Sequence, residues 1–425
     1  MGSHIITSTS WCALTLLSLG AANPAVCQVD QQRADAYFKE AVAICQRDGG
    51  RLWGVSLCGP MVIADARTGT IATSQPAPAA ERPRAFGFAN APVEWGGSRW
   101  VALVWDFTAS LPDASTRGEV MLHELFHRIQ PQLGLITPGD AIQNAHLDTF
   151  EGRVWLRLEW RALVRALGDS GEARTRAVRD ALAFRATRRS QFREAAENER
   201  REEIREGIAH YTGIVATAAS RSEAVARTIA HVTGAEGHET FLQQSYTTGT
   251  AYGVLLDDAS ADWRRRVRSE SDLGQMLMAA LNVTPAADAA EASARYGGVE
   301  IRAAEQTRAE QRRVVVRELQ SRFVDGPILL VPSGGGATFN AVGATPIPGA
   351  GTVYVLPYNA KGEWGTLDAR KGVLIGDDGT RRVPGPVRID GATLTGGGWA
   401  VTVARGWIVR PGPRSGDYQI VREPH

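Results

Sequence analysis

The spacing of apolar residues changes repeatedly along this chain. Over 31–46, Ala36, Phe38, Val42 and Ile44 fall among charged neighbours at helical intervals and predict a helix. Short alternating runs follow. Segments 60–66 and 70–74 flank Thr68-Gly69, and 93–95 and 99–107 flank Gly96-Gly97-Ser98, so each pair predicts a β-hairpin. From 118 to about 283 the spacing is helical, with charges on the outer faces; 150–167, 172–188, 195–218, 223–232, 246–257 and 271–282 are the clearest segments. Residues 283–294 read as a linker or weak helix and 300–323 as a long charged helix. After 325 the pattern returns to short strands such as 328–331, 352–356, 399–403 and 407–409, separated by Gly and Pro. The runs at 333–336 and 396–398 lack the Lys-Ser/Thr pair and helix of a phosphate loop and read as turns.

The expected architecture is α+β. It comprises 1–28 as a leader, 29–118 as a mainly β region, 119–285 as a helical core, 286–324 as linker and long helix, and 325–425 as an all-β domain. Forty-seven Lys and Arg against 46 Asp and Glu argue against a nucleic-acid partner, because a polyanion binder draws its affinity from excess positive charge. The first 29 residues carry no Lys, Arg or Glu, and the apolar run 11–22 ends in small residues, as in a secretory leader. No other stretch is long and apolar enough to span a membrane. Export, periplasmic or secreted, leaves Cys45 and Cys58 as a pair that an oxidising compartment would join.

One motif concentrates chemistry. His123-Glu124-Leu125-Phe126-His127 is an HExxH, and on a helix its two histidines share a face and can reach one metal ion, with the glutamate beside them. Residues 128–135 supply no histidine, so the third ligand comes from farther away. Two glutamates fit. Between His127 and Glu151 stand 23 residues, and between His127 and Glu206 stand 78.

The surroundings of Glu206 carry a resemblance. Arg205-Glu206-Gly207-Ile208-Ala209-His210-Tyr211 resembles the segment that supplies the third zinc ligand in gluzincin metallopeptidases of the aminopeptidase-N-like and peptidase MA-like kind. Ser245-Tyr246-Thr247-Thr248-Gly249 resembles that family's tyrosine helix. The resemblance covers about 119–257. It implies a gluzincin core with Zn2+ held by His123, His127 and Glu206, Glu124 as general base, Tyr246 meeting the oxyanion, and a peptide or protein as substrate. The connection between His127 and Glu206 is far longer than the family's, which implies a helical hairpin inserted there. Asp148 and Glu151 then become supporting or substrate-binding candidates, and His210 a hydrogen-bonded neighbour of the metal ligands. The strand that captures a free amino terminus in aminopeptidases is missing, so exopeptidase activity is unsupported. The 99–107 hairpin is the expected edge for an extended substrate. A different class of reading is an inactive peptidase-like scaffold that binds a partner through its β domain, with Trp364, Trp399 and Trp407 either stacking on a ligand or filling the core.

Overall fold

The computed structural model describes residues 28–136, 144–339 and 344–424. The expected leader, with Cys12 and Cys27, lies outside the described residues apart from its last position. The first helix, α1 (Gln31–Asp48), starts where Asp30 accepts the Arg33 N–H and stops at Gly49, whose φ of 55° is left-handed. A four-stranded sheet follows, made of β1 (Met61–Ala64), β2 (Ile71–Thr73), β3 (Ala91–Trp95) and β4 (Ser98–Val104). Its order is β2-β1-β4-β3: two antiparallel hairpins meet through a parallel β1–β4 pair, with Ile63 opposite Leu103. Alternation sends Met61, Ile63, Val101 and Leu103 into the helical core, and Val62, Ala64, Trp100 and Ala102 to a second layer with Phe86 and Trp95.

The 99–107 run is strand only to Val104. The Asn90 side chain accepts the Val104 N–H at 2.9 Å, and the chain turns into α2 (Trp105–Ser110), where buried Trp105 packs near Tyr37. Its apolar continuation therefore reflects burial of a helix, and 29–118 is a mixed helix-and-sheet unit more than a mainly β one. The next helix, α3 (Ala114–Ile129), starts where Asp113 accepts the Thr116 N–H at 2.8 Å and caps it.

The helical body continues with α4 (Phe150–Gly168), α5 (Gly171–Gln191), α6 (Ala195–Glu202), a π-turn (Glu203–Gly207), α7 (Ile208–Thr217), α8 (Arg221–Ala235), α9 (Gln244–Ala259), α10 (Trp263–Arg266), α11 (Leu273–Leu281), α12 (Ala289–Ser293) and α13 (Gly298–Gln320). Helices α4 and α5 form a hairpin between the two motif segments, as the long connection implies. No helix among the described residues is long and apolar enough to cross a membrane. The described residues after Gly326 are all β, with thirteen strands among them in sheets of seven and six. Trp364 and Trp399 are buried in its core and Trp407 packs against it, so all three are core residues. Leu319 and Phe323, at the end of α13, pack on Ile347, Val353 and Leu374 of the tail. Cys45 and Cys58 form a disulfide that ties α1 to the loop before β1.

A buried ionic cluster joins the α4–α5 hairpin to the helix before the π-turn. Arg188 is bidentate to Glu199, at 2.9 and 2.8 Å, and also bonds Glu159; Arg185 is bidentate to Glu203; Arg189 bonds Glu199 and Asp272. Tyr252 of α9 donates to Glu159 at 2.7 Å and Thr248 to Glu203 at 2.9 Å. Burial alone would raise the carboxyl pKa of Glu199 and Asp272, but the facing arginines outweigh it and hold both below the usual range.

Two outcomes follow from this cluster. Arg188→Leu strands Glu159 and Glu199 without their main partner and should destabilise the helical body by about 3–5 kcal/mol in denaturant unfolding; a change under about 1 kcal/mol would show that the pairs are dispensable. Because the folded-state pKa values of Glu199 and Asp272 are depressed, their contribution is complete above the unfolded carboxylate range near ~4 and is lost as pH falls below it. Unfolding midpoints measured against pH should accordingly drop steeply on the acid side of ~4.

Candidate metal centre

Helix α3 carries His123, Glu124 and His127 on its buried side. Close approach by two glycine-bearing elements completes the site. A Cβ on Gly213 of α7 would lie 2.4 Å from the Glu119 carbonyl oxygen of α3. A Cβ on Gly207 would lie 2.6 Å from the Ser245 carbonyl oxygen, and one on Gly249 would lie 2.6 Å from the Gly207 Cα. Only glycine permits these approaches without displacement. They press the π-turn between α3 and α9, and the turn itself, closed by the Ile208 N–H on the Glu203 carbonyl, sits at the segment that presents Glu206.

The result is a tight triad. Nε2 of His123 and Nε2 of His127 are 2.9 Å apart, and each lies 3.3 Å from Glu206 Oε2. Tetrahedral zinc with ligand bonds of ~2.0–2.1 Å requires ligand atoms about 3.3 Å from one another, so the donor set fits that ion in both type and spacing. Among the described residues this is the group of His, Cys, Asp and Glu able to hold a metal.

The histidine tautomer is fixed by a residue that the sequence reading did not single out. Gln130 accepts His127 Nδ1–H through Oε1 at 2.7 Å, while its amide donates to the Ile204 and Arg205 carbonyls at 3.0 and 2.9 Å. Because both amide hydrogens are used on carbonyls, Oε1 must accept, the proton sits on His127 Nδ1, and Nε2 presents its lone pair to the triad. Its position three residues after His127, on the same helix face, was the available signal.

Tyr246 lies over the site. Its ring stacks on His123 with centroids 5.5 Å apart and planes 5° from parallel, and its hydroxyl donates to Glu206 Oε2 at 2.8 Å. The expectation places that hydroxyl at the substrate's oxyanion; here its partner is the Glu206 carboxylate. Glu124 is buried beside the triad, and burial raises its pKa to about 7. For Glu206, burial acts upward, but the hydrogen bonds and charge of the two histidines hold it far below the carboxylate range. Burial lowers His123; at His127 the hydrogen bond and charge of Glu206 outweigh burial and raise it.

The competing candidates lie elsewhere. Glu151 is 38% exposed and pairs with Arg302 of α13 at 3.0 Å. Asp148 caps the Phe241 N–H and pairs with Arg153, and so serves the packing of the hairpin. His210 is buried behind His123, ring centroids 6.2 Å apart, against His231, and its Nε2 has no hydrogen-bond partner among the described residues. The triad opens into a cavity of about 510 Å³ that also exposes Arg99, Arg205, Leu135, Ile136 and the β3 edge at Ala91 and Pro92. The edge beside the site is therefore β3, since β4 is paired on both sides. Pro92 keeps its missing N–H on the outward side of that edge.

The chain matches no model of a known protein family, no curated protein and no solved structure.

Gln130→Met removes both the acceptor for His127 and the bridge to the π-turn. Zinc affinity, measured by chelator competition, should fall about 10- to 100-fold with the helical circular dichroism retained. Unchanged affinity would show that the tautomer is set by other groups.

Proposed function

We propose that this protein is an exported zinc-dependent peptidase with a gluzincin-type core, hydrolysing peptide bonds of a peptide or protein substrate. The observation that carries this reading is the convergence of His123, His127 and Glu206 donor atoms, spaced for a tetrahedral ion, on a cavity that also holds a buried glutamate. The Cys45–Cys58 disulfide supports export, because such bonds persist in oxidising compartments.

His123, His127 and Glu206 would hold the zinc, which when bound would supply Lewis acidity for a carbonyl and for water. The residues divide the remaining work. Glu124, whose burial brings its carboxyl close to neutrality, takes a proton from the attacking water and returns it to the leaving amine. Tyr246 keeps its proton in the neutral range, because burial and the facing Glu206 raise its pKa, so it remains a hydrogen-bond donor at the site. Arg205 Nε donates to Glu206 Oε1 at 3.1 Å and leaves Oε2 aimed at the histidines. Leu135 and Ile136 form an apolar wall for substrate side chains, and the β3 edge offers backbone groups to an extended chain.

The decisive comparison uses two substitutions. Glu124→Gln should retain stoichiometric zinc by elemental analysis and lose at least about 10²-fold in kcat on a peptide library, whereas Glu206→Ala should lose the metal. Full turnover by Glu124→Gln, or full zinc retention by Glu206→Ala, would overturn the assignment.

A further inference from the structure

Two arginines border the cavity, and their charges are in different states. Arg205 is engaged by Glu206 at 3.1 Å and approaches Glu202 at 3.6 Å. Arg99, on β4 and 41% exposed, has one carboxylate of the described residues within 4.0 Å, that of Glu94, which stands across the β3–β4 ladder at the limit of that distance with its side chain 70% exposed. Such a pair holds the guanidinium weakly.

A second cation lies nearby. Arg128, next to His127, is spread over the carbonyls of Ser56, Leu57 and Cys58, at 3.2, 3.5 and 2.7 Å, and no carboxylate of the described residues pairs with it. A Cβ on Gly59 would lie 2.1 Å from the Arg128 Nε, so glycine there is what lets the guanidinium lie across this loop, and the Cys45–Cys58 disulfide anchors the loop. Burial and the charge of Arg99 both lower the pKa of Arg128, which places the two cations within electrostatic reach of each other. The Arg99 end of the cavity is thus positive and poorly neutralised, while Glu124 and Glu206 lie at the metal end.

We propose that Arg99 recognises a carboxylate of the substrate, either the chain's terminal carboxylate or an acidic side chain near the cleaved bond. This rests on the peptidase reading of the same cavity. A guanidinium binds a carboxylate in a bidentate, charge-assisted manner, and inside a concave, partly apolar site that contact discriminates more strongly than on open surface.

The test is a blocked peptide scaffold made with a free or amidated C-terminus and with Glu or Gln beyond the cleaved bond, assayed for kcat and KM and, with Glu124→Gln, for Kd by calorimetry. The wild type should favour a carboxylate-bearing form by about 10- to 100-fold, chiefly in KM. Loss of the preference on amidation assigns the terminus, and loss on Glu-to-Gln replacement assigns the side chain. Arg99→Gln should bring all forms to within a few-fold of one another, and Arg99→Lys should restore part of the preference. Equal KM and Kd for all forms, or a preference that survives Arg99→Gln, would overturn the proposal. If no form is cleaved by the wild type, the peptidase reading fails, and the Kd series alone still decides whether Arg99 selects carboxylates.

Discussion

Three lone-pair-bearing atoms held 2.9 to 3.3 Å apart repel one another unless a proton or a cation lies between them, and the helical body is arranged to keep them there. Each device acts on a different element. Gly213 lets α7 approach α3, Gly207 and Gly249 let the π-turn approach α9, and Gln130 ties the end of α3 to carbonyls inside that turn. A side chain of any size at those glycines would separate donors that coordinate only at short range. The π-turn has a comparable role: it sits between two α-helical stretches and presents Glu206 to α3 while Glu203, three residues earlier, faces the ionic cluster.

That cluster explains how the α4–α5 hairpin can separate the two segments that carry the triad without loosening them. Arg185, Arg188 and Arg189 come from α5, while Glu199 and Glu203 come from the helix that leads to Glu206. Buried ion pairs add little net stability relative to apolar packing, but each fixes one partner geometry, since a shifted register leaves a charge desolvated. Here the register so fixed is that of the helix that carries Glu206. Tyr252 and Thr248 bring α9, and with it Tyr246, into the same frame. The α4–α5 hairpin therefore acts as a brace behind the site, and its arginine-rich texture, which reads as a solvated face in the sequence, is in part interior.

What was legible depended on how local each signal was. The HExxH pairing needs only helical periodicity, and the helices at 150–167 and 195–218 appear nearly where their spacing puts them. Glu206 was legible through its neighbours more than its spacing: Gly207 and Tyr211 are small and large at positions where α9 passes, with the Tyr211 ring under Gly253 and its hydroxyl on Asp257. Features set by tertiary partners were not legible. Val104 ends its strand because Asn90 takes its N–H, Trp105 looks like strand because it is buried, and Gln130 matters because Ile204 and Arg205 come to it from far along the chain. Tyr246 stands over the triad, but its hydroxyl partner, Glu206, cannot be read from the helix that carries it.

The two ends of the cavity are built on different physical terms. At the triad the side chains are largely enclosed and held by named partners, Gln130 on His127 and Tyr246 and Arg205 on Glu206, so substitutions there act through position. At the Arg99 end, rigidity comes from backbone: a disulfide, a glycine that admits Arg128, and carbonyls that hold it. The Arg99 side chain itself stays half-exposed and weakly paired. Changes at Arg99 or Glu94 alter the potential at the cavity mouth and leave the buried hydrogen bonds around His127 and Glu206 intact, whereas changes at Gly207 or Gln130 disturb the donor atoms directly.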